Sequence, residues 1–409
     1  MTADVDPLDL VDTERYARRG YPHEVWARLR AEEPVAYVQA PGFEPFWAVT
    51  KHADIMEVAK QPLRYSSAQG ITLARSGRPP MPPSEILVLL DPPKHGPVRR
   101  LVSARFTPKA VRERRNDVER IAVDVLDDAA ADIAGGSGDF VERIAAPFPL
   151  AVIAWILGVP NSDWELLFRW TNEIIGKDDP EYRREGETPG QTIKRARGEL
   201  HGYLADLIEQ RRDHPSDDLV SELVAGEING EPLTQEQLLA YCELFVEAGN
   251  ETTRNAISGG LLAFCEHREQ WQLLQERPEL VCDAVEEILR WASPISHFTR
   301  VATEDCELHG ARVRAGDQLA LYFASANRDE DVFADPFTFR VDRSPNPHLA
   351  FGFGEHFCVG AHLARVEIEM ILRHLLARLD WFELAGPIER MSSITNGSIK
   401  RLPLRYGTV

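Results

Sequence analysis

Cysteine is scarce in this chain: Cys242, Cys265, Cys282, Cys306 and Cys358 are five among 409 residues, and no two form a Cys-x-x-Cys pair. So odd and scattered a set excludes a disulfide scaffold and the usual zinc or iron–sulfur cage, and predicts a reduced, cytoplasmic protein. Positive charge is also short. Lys and Arg number 46 against 65 Asp and Glu, a formal charge of −19, which argues against nucleic acid and anionic membranes as partners, since both are bound through cations. No apolar run reaches the ~20 residues of a membrane helix. The longest, Ile144 to Val159, contains Pro147 and Pro149 and stops at Pro160, so it reads as buried core. The N-terminal MTADVDPLDLVDTERYARRG has no apolar h-region, which predicts neither a signal peptide nor an anchor.

What is present is a globular composition, 44% hydrophobic and 27% charged. No Gly/Ser linker, low-complexity segment or repeat divides it, so residues 1–409 are read as one domain. PVAYV and FWAVT, around the turn Pro41-Gly42, predict two short strands before helical periodicity takes over. Ser66 to Pro83, with its PPMPP, and Lys177 to Gly190 predict loops, either solvated connectors or binding lids. From Thr234, a capping residue, to about Glu266 apolar residues recur at three-to-four spacing, the pattern of a core-crossing helix. A second helix is expected over Glu279 to Ala292, followed by strands in ISHFTRVA, CELHGARVRAG and DQLALYFAS. A final helix is expected after Cys358 to about Leu379, and then a hairpin over Ser392 to Tyr406 turning at Asn396-Gly397.

The most informative stretch is FGFGEHFCVG, Phe351 to Gly360. Gly352 and Gly354 permit positive φ in a tight turn that delivers Cys358 to a helix N-terminus, where unpaired N–H groups favour a thiolate. Such a sulfur is a metal ligand, a nucleophile or an inert buried thiol. A nucleophile wants a His base, and His356, two residues away on a turn, points elsewhere. A haem ligand wants cations for two propionates and a helix able to approach the iron.

The pattern Phe351-Gly-x-Gly-x-His356-x-Cys358-x-Gly360 resembles the signature of the haem-thiolate cytochrome P-450 monooxygenases, and three further motifs of that family follow the expected order. The resemblance implies a mainly α fold with a smaller β part, with haem b between the long central helix and the cysteine-loop helix and Cys358 as axial ligand. It further places Phe351, Gly352 and Gly360 at the cofactor. In Ala248-Gly249-Asn250-Glu251-Thr252-Thr253, Ala248, Gly249 and Thr252 share one helical face. That groove is a small-residue helix crossing or, by resemblance, the oxygen-binding groove, with Thr252 holding dioxygen and a proton-delivering water and Glu251 relaying protons. A Thr hydroxyl can also bond the carbonyl four residues back and open the helix. Glu287-x-x-Arg290, joined by Arg343 of Phe339-x-x-x-Arg343, is implied to be a buried structural network. His95 and Arg99 of DPPKHGPVR, Arg300 and His356 are implied to bind the propionates.

These features imply a monooxygenase: one atom of dioxygen enters an apolar, medium-sized substrate of steroid, terpenoid or fatty-acyl type. Electrons are expected from a separate ferredoxin with its NAD(P)H-dependent reductase. Phe245, Ala248, Ile295, Phe298 and Ile394 are the candidate pocket residues. Two alternatives are a peroxygenase or atypical haem-thiolate enzyme, and a non-enzymatic haem gas-binding protein. Between Lys94 and Arg120, nine basic residues (Lys94, Arg99, Arg100, Arg105, Lys109, Arg112, Arg114, Arg115, Arg120) stand against three acidic ones (Glu113, Asp117, Glu119). This local excess of six positive charges is either a solvated face or a docking patch for an acidic electron donor.

Overall fold

The computed structural model describes residues 5–77, 82–176 and 178–409. Part of the PPMPP loop, the first four residues and Lys177 lie outside them. Eight helices frame the interior: α1 (His95–Val102), α2 (Arg115–Asp128), α3 (Pro147–Leu157), α4 (Trp164–Ile175), α5 (Pro189–Asp213), α6 (Gln235–Glu266), α7 (Val281–Ala292) and α8 (Ala361–Leu376). Thr234 caps α6 through a reciprocal capping box with Gln237, which satisfies two amides that the first turn leaves unpaired. The helix then runs unbroken for 32 residues.

α6 is the axis on which the other helices pack, among them α3, α4, α5, α7 and α8. Glycine sets its closest approaches. A Cβ at Gly249 would stand 3.0 Å from Ile153 of α3, and one at Gly260 would stand 2.9 Å from Ile288 of α7. α3 is the apolar run singled out above, buried along nearly its whole length. Toward α4 and α5, α6 adds polar contacts to the apolar core. Glu243 accepts from His201 Nε2 at 2.6 Å and from Arg197, Arg197 also reaches Glu247 at 3.5 Å, and Arg254 donates to Asn172 at 3.2 Å.

The main sheet has the order β1 (Val35–Val38), β2 (Phe46–Val49), β5 (Gln318–Tyr322), β4 (His297–Ala302), β3 (Tyr65–Ser66). β2 and β5 are parallel and the other pairs antiparallel. Every residue of β5 is buried, as a central strand covered on both faces requires. The expected strand in DQLALYFAS ends at Tyr322, because Phe323–Ala326 forms a helical turn. The Cys306–Leu308 and Ala311–Val313 strands pair as a small hairpin.

The C-terminus departs from expectation. α8 stops at Leu376, and Leu379–Leu384 is a strand paired with Pro403–Thr408, which also pairs with Ser137–Asp139. The expected hairpin at Asn396-Gly397 does not form. Neither residue has the positive φ that such a turn requires; Asn396 bridges Ile295, and Ile399–Arg401 pairs back to Glu389–Arg390. Gly397 is small for another reason: a Cβ there would meet the Tyr21 hydroxyl at 2.4 Å.

α7 carries the structural joint. Glu287 is bidentate to Arg290 at 2.7 Å for both contacts, and accepts from Arg343 Nε at 3.1 and 3.3 Å, from the Arg340 amide at 2.9 Å and from Asn346 at 3.1 Å. The two guanidiniums spend their remaining donors on carbonyls of Asn327, Ala334, Asp335, Pro336 and Thr338. Glu287 and Arg290 are fully buried and Arg343 nearly so. Removing one partner strands the others in a low-dielectric site. Glu287→Gln and Arg343→Ala are each expected to lower the unfolding free energy by about 3–5 kcal/mol in a denaturant titration; a loss under about 1 kcal/mol, as for an exposed pair, would contradict this.

Candidate functional site

The segment before α8 is a closed loop. The Cys358 amide donates to the Phe351 carbonyl at 3.0 Å, and Gly352 and Gly354 take φ of 70° and 72°. Gly354 is irreplaceable on space as well: a Cβ would stand 2.3 Å from the Ala59 carbonyl oxygen. Gly360 caps α8. Phe351 is held by the guanidinium of Arg365, 4.6 Å above its ring. Arg365 is bidentate to Glu286 of α7 at 2.6 and 2.9 Å, and His348 Nε2 lies 3.1 Å from the same carboxylate. The loop is thus pinned to α7.

Cys358 is accessible and yet enclosed. Its surface is exposed, while burial raises its thiol above the ordinary range, only partly offset by the Gly360 amide and by Arg99 and Arg365. Desolvation thus opposes the thiolate that the helix end favours. Accessible surface on a walled-in group means a concave cavity. Mid-way along α6, among buried Val246, Asn250 and Thr253, Ala248 is exposed and Gly249 and Thr252 are half-exposed. The Thr252 hydroxyl donates to the Ala248 carbonyl at 2.8 Å without breaking the helix. Gly249 also serves the α3 crossing described above, so it is a packing glycine as well as a member of this face.

Four basic side chains, two imidazoles and two guanidiniums, converge on this loop. The His95 ring lies 4.5 Å from that of His356, with its Nδ1 3.2 Å from Glu355 and its buried Nε2 unpaired. His356 reaches Ser67 at 3.2 Å. Burial first, then the charges of Arg300, His95 and Arg99, push His356 down to about 3. Arg99 donates to the Phe357 carbonyl at 2.5 Å, and Arg300 to the Thr299 carbonyl at 2.7 Å. Among the described residues neither guanidinium has a carboxylate within ion-pair distance, and burial brings Arg300 down to about 10. One buried guanidinium and one half-buried one, neither with a carboxylate partner among the described residues, fit an anionic ligand. An accessible sulfur beside them fits a metal, whose charge would reverse the raised thiol. The donor set suits a metal-bearing group with acidic arms.

The other residues singled out in the sequence divide. Glu251 is buried, with Oε1 accepting from Arg254 and Ser398. Phe245 is buried in a face-to-face stack on Phe106, centroids 5.0 Å apart, and Ile394 is buried too. Ile295 and Phe298 keep partial exposure, Phe298 lying edge-on to Phe323. The basic run is largely neutralised. Arg105 and Arg114 pair with Asp217, Arg105 also with Glu222, Arg115 is bidentate to Glu369, Arg120 reaches Asp117 and Asp124, and Lys109 reaches Glu113. Lys94, Arg100 and Arg112 remain exposed, without an ion pair among the described residues. Sequence reasoning missed four partners: Ser67 and Ser398, which stand in no motif, Glu286, which directly precedes Glu287-x-x-Arg290, and Glu355, an unspecified position inside the cysteine-loop signature.

Comparison with known proteins agrees with this geometry. The cytochrome P450 family profile matches residues 186–406. The chain is 36% identical over 404 residues to the steroid C26-monooxygenase of Mycolicibacterium smegmatis, covering 94% of this chain and 90% of that one. The chain belongs to the cytochrome P450 family. Linalool 8-monooxygenase of Pseudomonas putida is 35% identical to this P450 over 410 residues, covering 96% and 97% of the two chains. The crystal structure of CYP108D1 from Novosphingobium aromaticivorans matches with a TM-score of 0.89 at 33% identity, over 98% of both chains. This P450 therefore has the family's fold, haem-iron cofactor and monooxygenase chemistry, which sets aside the non-enzymatic alternative. Among the described residues no helix is long and apolar enough to cross a membrane.

The Glu286 joint gives this P450 an acid-sensitive element. Burial alone would raise the Glu286 carboxyl; hydrogen bonds from His348 and Arg365 more than offset it and bring it down to about 2. A carboxyl depressed by folding stabilises fully above its unfolded pKa and loses that contribution as pH falls through the folded value. Stability is expected to decline between about pH 4.5 and 2, and Glu286→Gln to flatten that part of a pH series of urea unfolding curves; an unchanged slope would count against the joint.

Proposed function

We propose that this P450 binds haem b between α6 and the Cys358 loop, where Cys358 would hold the iron through its sulfur and His95, Arg99, Arg300 and His356 would hold the propionates. The observation that carries the reading is the pair of guanidiniums without carboxylate partners among the described residues, beside an accessible, enclosed thiol. Phe351, Gly352 and Gly360 shape the sulfur's surroundings, and Ala248 and Gly249 keep α6 thin on the opposite side. When bound, the haem supplies activation of dioxygen with two electrons, one oxygen entering the substrate and the other leaving as water. The chain supplies orientation, a dry cavity and protons. Thr252 can turn its hydroxyl from the Ala248 carbonyl to a water in the groove, and Glu251 is the acid that recharges that water. Glu287, Arg290 and Arg343 do no chemistry; they hold the loop.

The substrate we propose is an apolar molecule of steroid, terpenoid or fatty-acyl type, supported by the names of the steroid and linalool monooxygenases to which the chain is similar. Phe245, Ala248, Ile295, Phe298 and Ile394 are its proposed lining, with Phe245 and Ile394 having to shift to reach it. We propose a ferredoxin with its NAD(P)H-dependent reductase as electron source, met by the uncommitted cations Lys94, Arg100 and Arg112, in a cytoplasmic enzyme working as one domain. Reduced protein under carbon monoxide is expected to absorb near the wavelength that names the family, and Cys358→Ala to lose that band; a band typical of His ligation in the wild type would sink the assignment. Thr252→Ala is expected to keep consuming NADPH while peroxide replaces product, by roughly tenfold or more on the scale of a lost proton-transfer group, read from the ratio of product to peroxide.

A further inference from the structure

The surroundings of Glu251 carry an inference beyond its part in proton delivery. Its carboxylate lies 2% exposed in the interior and takes three donors, all on Oε1: Arg254 Nη2, Ser398 Oγ at 2.7 Å and Asn255 Nδ2 at 3.4 Å. None of the three goes to Oε2. The donors are themselves fixed. Arg254, 1% exposed, sits one turn on along α6 and spends Nη1 on Asn172 of α4 at 3.2 Å. Ser398, also 1% exposed, accepts from Asn255 at 2.8 Å while donating to Glu251, so its hydroxyl has one direction left to it. The other ionisable groups near this cluster are Tyr182, within electrostatic reach of both Arg254 and Glu251, and Lys400, which is engaged by Asp179 and Glu181.

A carboxylate with two equivalent oxygens and a free χ angle is a poor relay, because its proton is as readily lost to the wrong side as passed on. We infer that Arg254, seconded by Ser398, is a positioning residue: it pins Oε1 toward α4 and the 398 turn and leaves Oε2 as the single oxygen that carries the proton. In each cycle Oε2 accepts a proton from a water on the solvent side and releases it to the water at Thr252, which restores the carboxylate. Arg254 neither gains nor loses a proton and touches no substrate. Its guanidinium fixes orientation and neutralises the charge that burial would otherwise penalise. The inference rests on the reading of Glu251 as the relay acid.

The test uses the holoenzyme with its electron-donor proteins and four variants: Glu251→Gln, Arg254→Gln, Arg254→Lys and Ser398→Ala. Glu251→Gln is expected to slow product formation by roughly tenfold or more and to enlarge its solvent isotope effect. Arg254→Gln should do the same, the double variant should be no slower than either single, and Arg254→Lys should recover most of the loss. Independently of turnover, infrared difference spectra against Glu251→Gln identify the Glu251 carboxylate stretch. That stretch should move or vanish in Arg254→Gln and return in Arg254→Lys. If Arg254→Gln does not fold, Ser398→Ala carries the same expectation at smaller amplitude. A slow Glu251→Gln beside wild-type rates and an unmoved carboxylate band in Arg254→Gln or Ser398→Ala, or additive effects in the double variant, overturns the inference alone. A wild-type Glu251→Gln overturns the relay reading, and the inference with it.

Discussion

A single buried carboxylate, Glu287, ties together three parts of the chain. It joins α7 to Arg343, to the Arg340 amide and to Asn346, and so fixes the irregular segment that leads into the cysteine loop. An irregular segment has no ladder of its own to set its course, and its carbonyls need donors. The side chains of Arg290 and Arg343 supply them, five carbonyls between them. The neighbouring Glu286 ties the same helix to α8 through Arg365. Consecutive residues on α7 thus position the loop from both ends, before and after Cys358.

The second constraint is an interior that must stay partly unsatisfied. Most of this protein pairs its charges closely, even along the basic run, where Arg105, Arg114, Arg115 and Arg120 all find carboxylates. Arg99 and Arg300 do not, nor does His95 Nε2 find an acceptor. Arg300 is buried and Arg99 half-buried in this state, a cost that a bound anion would offset. The same contrast separates Gly249, whose missing side chain Ile153 fills, from Ala248 one residue earlier, whose small side chain leaves open space.

Local chemistry was legible in the sequence and distant pairing was not. The capping box at Thr234, the length of α6, the positive φ at Gly352 and Gly354 and the Glu287-Arg290 spacing are all local, and the structure has them. The C-terminal strands were misread because Pro403–Thr408 finds its partners at Leu379–Leu384 and Ser137–Asp139, and no turn signal between neighbours encodes that. The basic run was overcounted for the same reason: Asp217, Glu222 and Glu369 are remote in sequence and adjacent in space. Motif reasoning likewise located Glu251 on the helix but gave no hint that Ser398 would reach it, since a serine in a turn carries no pattern.

The polar seam between α6 and the α4–α5 pair has a mechanical meaning. On the α3 and α7 sides, α6 is locked by Ile153 and Ile288 set into glycine hollows, and parting those surfaces would expose apolar area at about 25 cal/mol per Å². Toward α4 and α5 the polar contacts are Arg197, His201, Glu243, Glu247, Asn172 and Arg254. Water can replace each of these partners. Of the layers stacked on the central helix, this one therefore carries polar contacts that can be exchanged one for another, whereas the α3 and α7 contacts can only be lost.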